Sequence, residues 1–161
     1  MSAAPIEVRP AHVADAERIA ECLTLAFVPF RDQYSEGAYQ DTVLTNEAVR
    51  ERMAHMTVYV AVVPSGEIVG TLAVGLLHGK GHLRGMAVRP EWQGQHVAHQ
   101  LLARAEEDLR GKGCTHVTLG TTSPLHNAIR FYEKNGFKST GKTTDFFGMS
   151  LRQYLKDLRR A

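Results

Sequence analysis

Leu83-Arg84-Gly85-Met86-Ala87-Val88-Arg89-Pro90-Glu91-Trp92-Gln93-Gly94-Gln95-His96-Val97-Ala98 is the stretch whose reading decides the fold. The run before Pro90 is short, apolar and bounded by breakers, which is the pattern of a buried strand. Beyond it Val97, Leu101, Leu102, Ala105 and Leu109 recur at helical spacing, while Arg104, Glu106, Glu107, Asp108 and Arg110 take the other side. Strand, tight turn and helix are expected, with the helix starting near Gln95 or His96. The first N–H groups of such a helix lack intrahelical partners and lie at the positive end of its dipole, where phosphate is a natural guest. Gly94 lets backbone approach a ligand closely. Taken alone, the turn is equally an ordinary strand-to-helix junction.

The flanking chain reads outward from there. Ile6 to Arg9 is a short strand ended by Pro10, and Asp15 is positioned to cap a helix with Ile19, Cys22, Leu23 and Ala26 on one face. Phe27 to Thr45 reads as loop with a short helix, and Glu47 to Met56 as helical. Val58 to Val63 and Ile68 to Leu77 form a hairpin about Pro64-Ser65-Gly66. His78-Gly79-Lys80-Gly81-His82 then reads as a link into the central strand. Its two histidines sit among glycines, and no metal site is expected.

After the central helix, capped near Gly111-Lys112-Gly113, His116 to Gly120 is a strand. Ser123 and Pro124 suit the start of a further helix, in which Leu125, Ala128, Ile129 and Tyr132 share a face until Asn135-Gly136 ends it. Two final β-rich runs read as a closing hairpin, with Phe146 or Phe147 near an acceptor pocket, in the core or at a dimer contact. The element order is strand, two helices, three strands, helix, strand, helix, two strands. That order implies an α/β (α+β) fold with a mixed, mostly antiparallel sheet and helices on both faces.

Composition narrows the function. A chain of 161 residues suits one domain, expected over residues 1–161. A formal net charge of +2 is too small to imply a nucleic-acid partner, and Lys156, Arg159 and Arg160 read as a solvated basic end. Cys22 and Cys114 lie in unlike contexts without paired spacing, so neither zinc nor a disulfide framework is expected. No apolar run is long enough to span a membrane, and no signal peptide is read at the start. Reduced thiols and a cytoplasmic location are the expectation.

Two segments carry a resemblance. Gln93-Gly94-Gln95-His96-Val97-Ala98, following Ala-Val-Arg-Pro-Glu, resembles the acetyl-CoA signature of the GCN5-related N-acetyltransferases (GNAT family): Gln or Arg, two residues, Gly, one residue, Gly or Ala. Gln93 and Ala98 match, and His96 stands where glycine is usual. Ala128-Ile129-Arg130-Phe131-Tyr132-Glu133-Lys134-Asn135-Gly136-Phe137 resembles the family's second hallmark, in the expected order. The asparagine often found seven residues before the tyrosine is here Leu125, and Asn127 lies about 140° around the helix from Tyr132.

The resemblance implies the GNAT fold and acetyl-CoA as cosubstrate. Met86, Ala87 and Val88 would pair with the pantetheine arm, and Gln93, Gly94, Gln95, His96, Val97 and Ala98 would hold the pyrophosphate. Tyr132 would protonate the departing CoA thiolate. His82 is the nominee for a general base, because imidazole titrates near neutrality; an amine arriving neutral is the alternative. The implied reaction is direct attack of a small-molecule or peptide amine on the thioester in a ternary complex. A homodimer is the family-based expectation. Acylation of an alcohol, a longer acyl chain, and a non-catalytic acyl-CoA-binding or protein-interaction module on the same fold remain the alternatives.

Overall fold

The computed structural model describes residues 5–159, and Arg160 of the basic end lies outside them. The β-branched middle of the chain forms a ladder of Thr57–Val62 (β2), Ile68–Leu77 (β3) and Lys80–Val88 (β4). Between β3 and β4 the chain turns through His78 and Gly79, both at positive φ, 52° and 78°. Such a two-residue turn has the twist of the strands it joins. The expected link out to His82 is thereby corrected: the strand begins at Lys80 and His82 lies inside it.

Glu7–Pro10 (β1), His116–Thr122 (β5), Lys138–Phe146 (β6) and Met149–Asp157 (β7) complete a seven-stranded sheet in the order β1-β2-β3-β4-β5-β7-β6. Every neighbouring pair is antiparallel except β4 and β5. The helices are Ala16–Phe27 (α1), Glu36–Thr42 (α2), Asn46–His55 (α3), Val97–Gly111 (α4) and His126–Lys134 (α5). The first crossing therefore holds three helices, α2 being the short helix expected between Phe27 and Thr45. Ser35 and Thr45 divide them, their hydroxyls accepting the Ala38 and Ala48 N–H groups at 3.2 Å each.

Two expected caps are not formed. The Asp15 carboxylate turns back to Arg9 at 2.8 Å and accepts the His12 N–H, also at 2.8 Å, while a single 3₁₀ turn precedes α1. Ser123 and Pro124 instead form the centre of a turn closed by the Leu125 N–H donating to the Thr122 carbonyl at 3.2 Å. Helix α5 starts only after it.

The sheet is covered on both faces. Val97, Leu101, Leu102, Ala105 and Leu109 of α4, with Tyr132 of α5, pack against Leu83, Val88, Val117 and Leu119. Ile19, Cys22, Leu23 and Val49 of α1 and α3 pack against Val58, Val60, Ala73 and Ala87 on the other face. Helix α4 sits close because two strand glycines make room beneath its ends. A Cβ on Gly70 would stand 2.7 Å from Val97 Cγ1, and one on Gly81 2.6 Å from Leu109 Cδ1.

A bulge resets the facing of β4. Thr71 pairs with Ala87 and Ala73 with Arg84, so β4 carries one extra residue there, and Gly85 takes φ 64°. Leu83 and Val88 thus reach the same core layer although they lie an odd number of positions apart, five. Among the described residues no helix is long and apolar enough to cross a membrane. No group of three or more His, Cys, Asp or Glu side chains is placed to hold a metal ion among them.

Candidate active site

The two parallel strands at the centre of the sheet part company. Strands β4 and β5 pair only at Gly81–Val117, His82–Thr118 and Leu83–Leu119, yet β4 runs on to Val88 and β5 to Thr122. A slot opens between their carboxyl ends. On the β3 side the Arg89 N–H donates to the Val69 carbonyl at 2.8 Å, flanking the Val88–Gly70 pair. By the alternation of an antiparallel ladder, the N–H and C=O of Val88 then face β5 across the slot. Gln93 Nε2 donates to the Val88 carbonyl at 3.1 Å, which leaves the Val88 N–H as a donor aimed into the opening.

The slot leads to the start of α4. A 3₁₀ turn at Pro90–Trp92 carries the chain from β4 to Gly94 at φ 79° and His96 at φ 67°. The N–H groups of Gly94, Gln95, His96, Val97, Ala98 and His99 find no acceptor among the described residues. Gly94 is open, with no atom within 4 Å of the place its Cβ would take. Helix N-termini with free N–H groups receive phosphate. Arg89, the cation nearest this loop in sequence, is already engaged by Glu67 at 3.1 Å and Glu21 at 3.4 Å.

Tyr132 lies on the α4 face, 7% exposed, between the rings of Phe131 and Phe137 at 5.6 Å each. Its hydroxyl makes no hydrogen bond to protein among the described residues. Burial pushes the phenol well above its usual value, so it keeps its proton throughout the neutral range. Leu125 and Asn127 offer the site nothing polar. Leu125 precedes the first turn of α5, and the Asn127 side chain accepts from Arg130 Nη2 at 2.8 Å.

His82 lies in the paired part of β4, its Nδ1 sharing a 2.9 Å hydrogen bond with the Thr118 hydroxyl. Burial, and then the charge of Arg84, hold its pKa below the usual histidine value. It precedes Val88 by six residues, roughly 17–20 Å of strand. That span separates the imidazole from the Val88 N–H along the strand. Glu67, at the start of β3, is bound to Arg89.

Opposite α4, the other mouth of the slot is polar. The Tyr34 and Thr122 hydroxyls share a 2.7 Å hydrogen bond, Arg84 Nη2 meets Asp41 at 3.0 Å, and Arg52 of α3 reaches over Gly85. Phe147, at the β6–β7 turn, lies against Gly37 of α2. The sequence reading passed over Arg52, Tyr34 and Thr122. Arg52 had a signal: it follows the buried Val49 by three residues on α3, where a core-facing position holds a cation.

The model of the Acetyltransferase (GNAT) family matches residues 19–137. The chain belongs to the GNAT acetyltransferase family. This GNAT chain is 34% identical over 82 residues to an aminoalkylphosphonate N-acetyltransferase of Salmonella typhimurium, covering 47% of this chain and 53% of that protein. It is 32% identical over 143 residues to a spore coat polysaccharide biosynthesis protein of Bacillus subtilis, covering 81% and 46%. The chain thus spans about half the length of these curated relatives.

Solved structures share the GNAT fold. A GCN5-related N-acetyltransferase from Rhodopseudomonas palustris superposes with TM-score 0.79 at 21% identity, covering 98% of each chain. The PaiA N-acetyltransferase of Thermoplasma acidophilum, solved with coenzyme A, gives 0.73 at 23% identity, covering 95% of this chain and 99% of that one.

Proposed function

We propose that this chain transfers an acetyl group from acetyl-CoA to a primary amine by direct attack in a ternary complex. The observation that carries the reading is the slot between β4 and β5, with the Val88 N–H turned into it and the free N–H groups at the start of α4 beyond. An extended pantetheine arm can add to the β4 edge as a strand would, along Met86, Ala87 and Val88. The backbone from Gly94 to Ala98 holds the pyrophosphate. Gln93 braces the slot through the Val88 carbonyl rather than touching phosphate. The bound acetyl-CoA supplies the acyl group as an activated thioester.

The chain's own groups divide the remaining work. The Val88 N–H polarises the thioester carbonyl, an oxyanion-type contribution. Tyr132, neutral and without a protein partner, gives its proton to the CoA sulfur as the amine displaces it. With His82 too distant, the acceptor amine arrives unprotonated, sheds its surplus proton to water as the amide forms, and Tyr132 regains its own proton from water. The cosubstrate lies on the α4 and α5 face, and the acceptor enters from the opposite mouth. The Salmonella relative's name specifies an acceptor that pairs an amine with a phosphonate, which is the chemical type this reading favours.

Calorimetric titration with acetyl-CoA, with NAD as the control, tests the reading; saturable binding of acetyl-CoA alone is expected. Y132F is expected to slow thiol release by about a hundredfold while still binding acetyl-CoA. An unchanged rate would remove Tyr132 from the mechanism. His96 at the phosphate loop and the apolar Leu125 favour a second reading, an acyl-CoA-binding module without turnover. Binding with no thiol release from any amine would select it.

A further inference from the structure

Arg52 is the charged group for which the fold gives no internal reason. It is half-buried, and among the described residues its guanidinium forms neither an ion pair nor a hydrogen bond with the protein. Its Nη1 lies 2.6 Å from where a Cβ on Gly85 would stand, so the cation occupies space that only a glycine at the bulge leaves open. Arg84 is close enough to act on it, and Asp41, already bound to Arg84 at 3.0 Å, is the carboxylate whose charge reaches Arg52. Arg84 thus takes the one carboxylate nearby, and Arg52 is left without an ion-pair partner. His82, the other titratable group beside Arg84, is kept neutral by burial.

A half-buried cation without a partner is costly, and an outside anion relieves that cost. Beneath the guanidinium, between Leu23, Val49 and Thr71, the packing leaves a cavity of about 10 Å³, room for one water. An anion must therefore reach Arg52 from the side away from that cavity, above the Gly85 bulge. Burial first, and then Arg84, push Arg52 down to about 10, leaving it charged at neutral pH.

We propose that the acceptor is a short amine bearing an acidic group, a carboxylate or phosphonate, which Arg52 receives above the Gly85 bulge while the amine faces Val88. The inference rests on the acetyltransferase reading above. Gly85 precedes Val88 by three residues, about 10 Å of strand, and hydrogen bonds at both ends shorten what the acceptor must span. Acid and amine are then a few carbons apart. A guanidinium fork suits both acids, since it offers paired donors to two oxygens.

Thiol release from acetyl-CoA measured with aminoethylphosphonate, β-alanine and ethylamine tests this, because the three share one chain and differ in the acid. At least one acid is expected to exceed ethylamine in kcat/KM by about 10- to 100-fold. In R52Q that preference is expected to disappear through KM, and R52K, which keeps the charge, to restore part of it. The better acid of the two identifies the group for which the site is shaped. Ethylamine turned over as well as both acids, or R52Q lowering all three rates alike, overturns the inference. Turnover of none of the three by a protein that binds acetyl-CoA also overturns it and leaves the cosubstrate assignment standing. Failure to bind acetyl-CoA removes the acetyltransferase reading itself.

Discussion

His96 occupies a left-handed conformation at the head of α4, φ 67° and ψ 11°, at the position where the family's signature has glycine. A left-handed backbone that glycine takes freely is thus held here by a residue that adopts it at a cost. The left-handed region costs an ordinary residue about 1–2 kcal/mol, offset in part by the greater freedom of glycine in the unfolded chain. H96G is expected to raise stability by about 0.5–1 kcal/mol, read as a higher urea midpoint at unchanged slope. A lower midpoint would mean that the imidazole makes a stabilising contact of its own. Residue identity in this loop was legible in sequence; conformation was not, since nothing in the letters says which of Gln95 and His96 turns left-handed. The place of His82 was misread for a related reason. A histidine beside glycine reads as a turn, but the two-residue turn lies earlier, at His78-Gly79.

At the scale of elements, the site depends on where α4 begins, and that is set from beneath. Gly70 under Val97 and Gly81 under Leu109 let the helix rest directly on β3 and β4. G70A would push a methyl group into Val97 and Leu101, whose nearest atoms lie 2.7 and 3.0 Å from the new carbon. A loss of about 1–3 kcal/mol is expected from such overpacking, with weaker acetyl-CoA binding because the first turn of α4 shifts. Denaturation and calorimetry on one preparation check both, and retained affinity at reduced stability would separate the helix seat from the phosphate loop. Most elements were readable, because periods of two and 3.6 separate strands from helices cleanly in this chain. The misses were capping choices. Asp15 and Ser123 are good caps by type, but Arg9 claims one and the turn before Leu125 claims the other. Both competitors lie outside the local helix pattern. The bulge at Gly85 was likewise invisible, since its effect is to change which face a side chain serves rather than which side chain is present.

For the molecule as a whole, the two core layers carry groups that hold protons more tightly folded than unfolded. Burial raises the Cys22 thiol from 9.0 to about 12, and it also raises the Tyr132 phenol above its unfolded value of 10.0. In both cases the folded state binds the extra proton. Stability is therefore complete below pH 9 and falls as pH rises from 9 toward 12, at about 1.4 kcal/mol per pH unit for each group. Cys22 acts first, below the pH at which an exposed tyrosine ionises. Unfolding curves of the wild type and C22A are expected to diverge in slope between pH 9 and 10, the variant being less sensitive; parallel slopes would show that the buried thiol already ionises in the folded protein.

The seam between β4 and β5 has a mechanical meaning. Seven residue pairs join β3 to β4 and seven join β5 to β7, while three join β4 to β5. A load drawing the outer edges of the sheet apart meets its least resistance along that line. An acyl carrier seated there, as proposed above, would act as mortar in the thinnest joint of the wall, so unfolding under tension should begin at the proposed site of the chemistry.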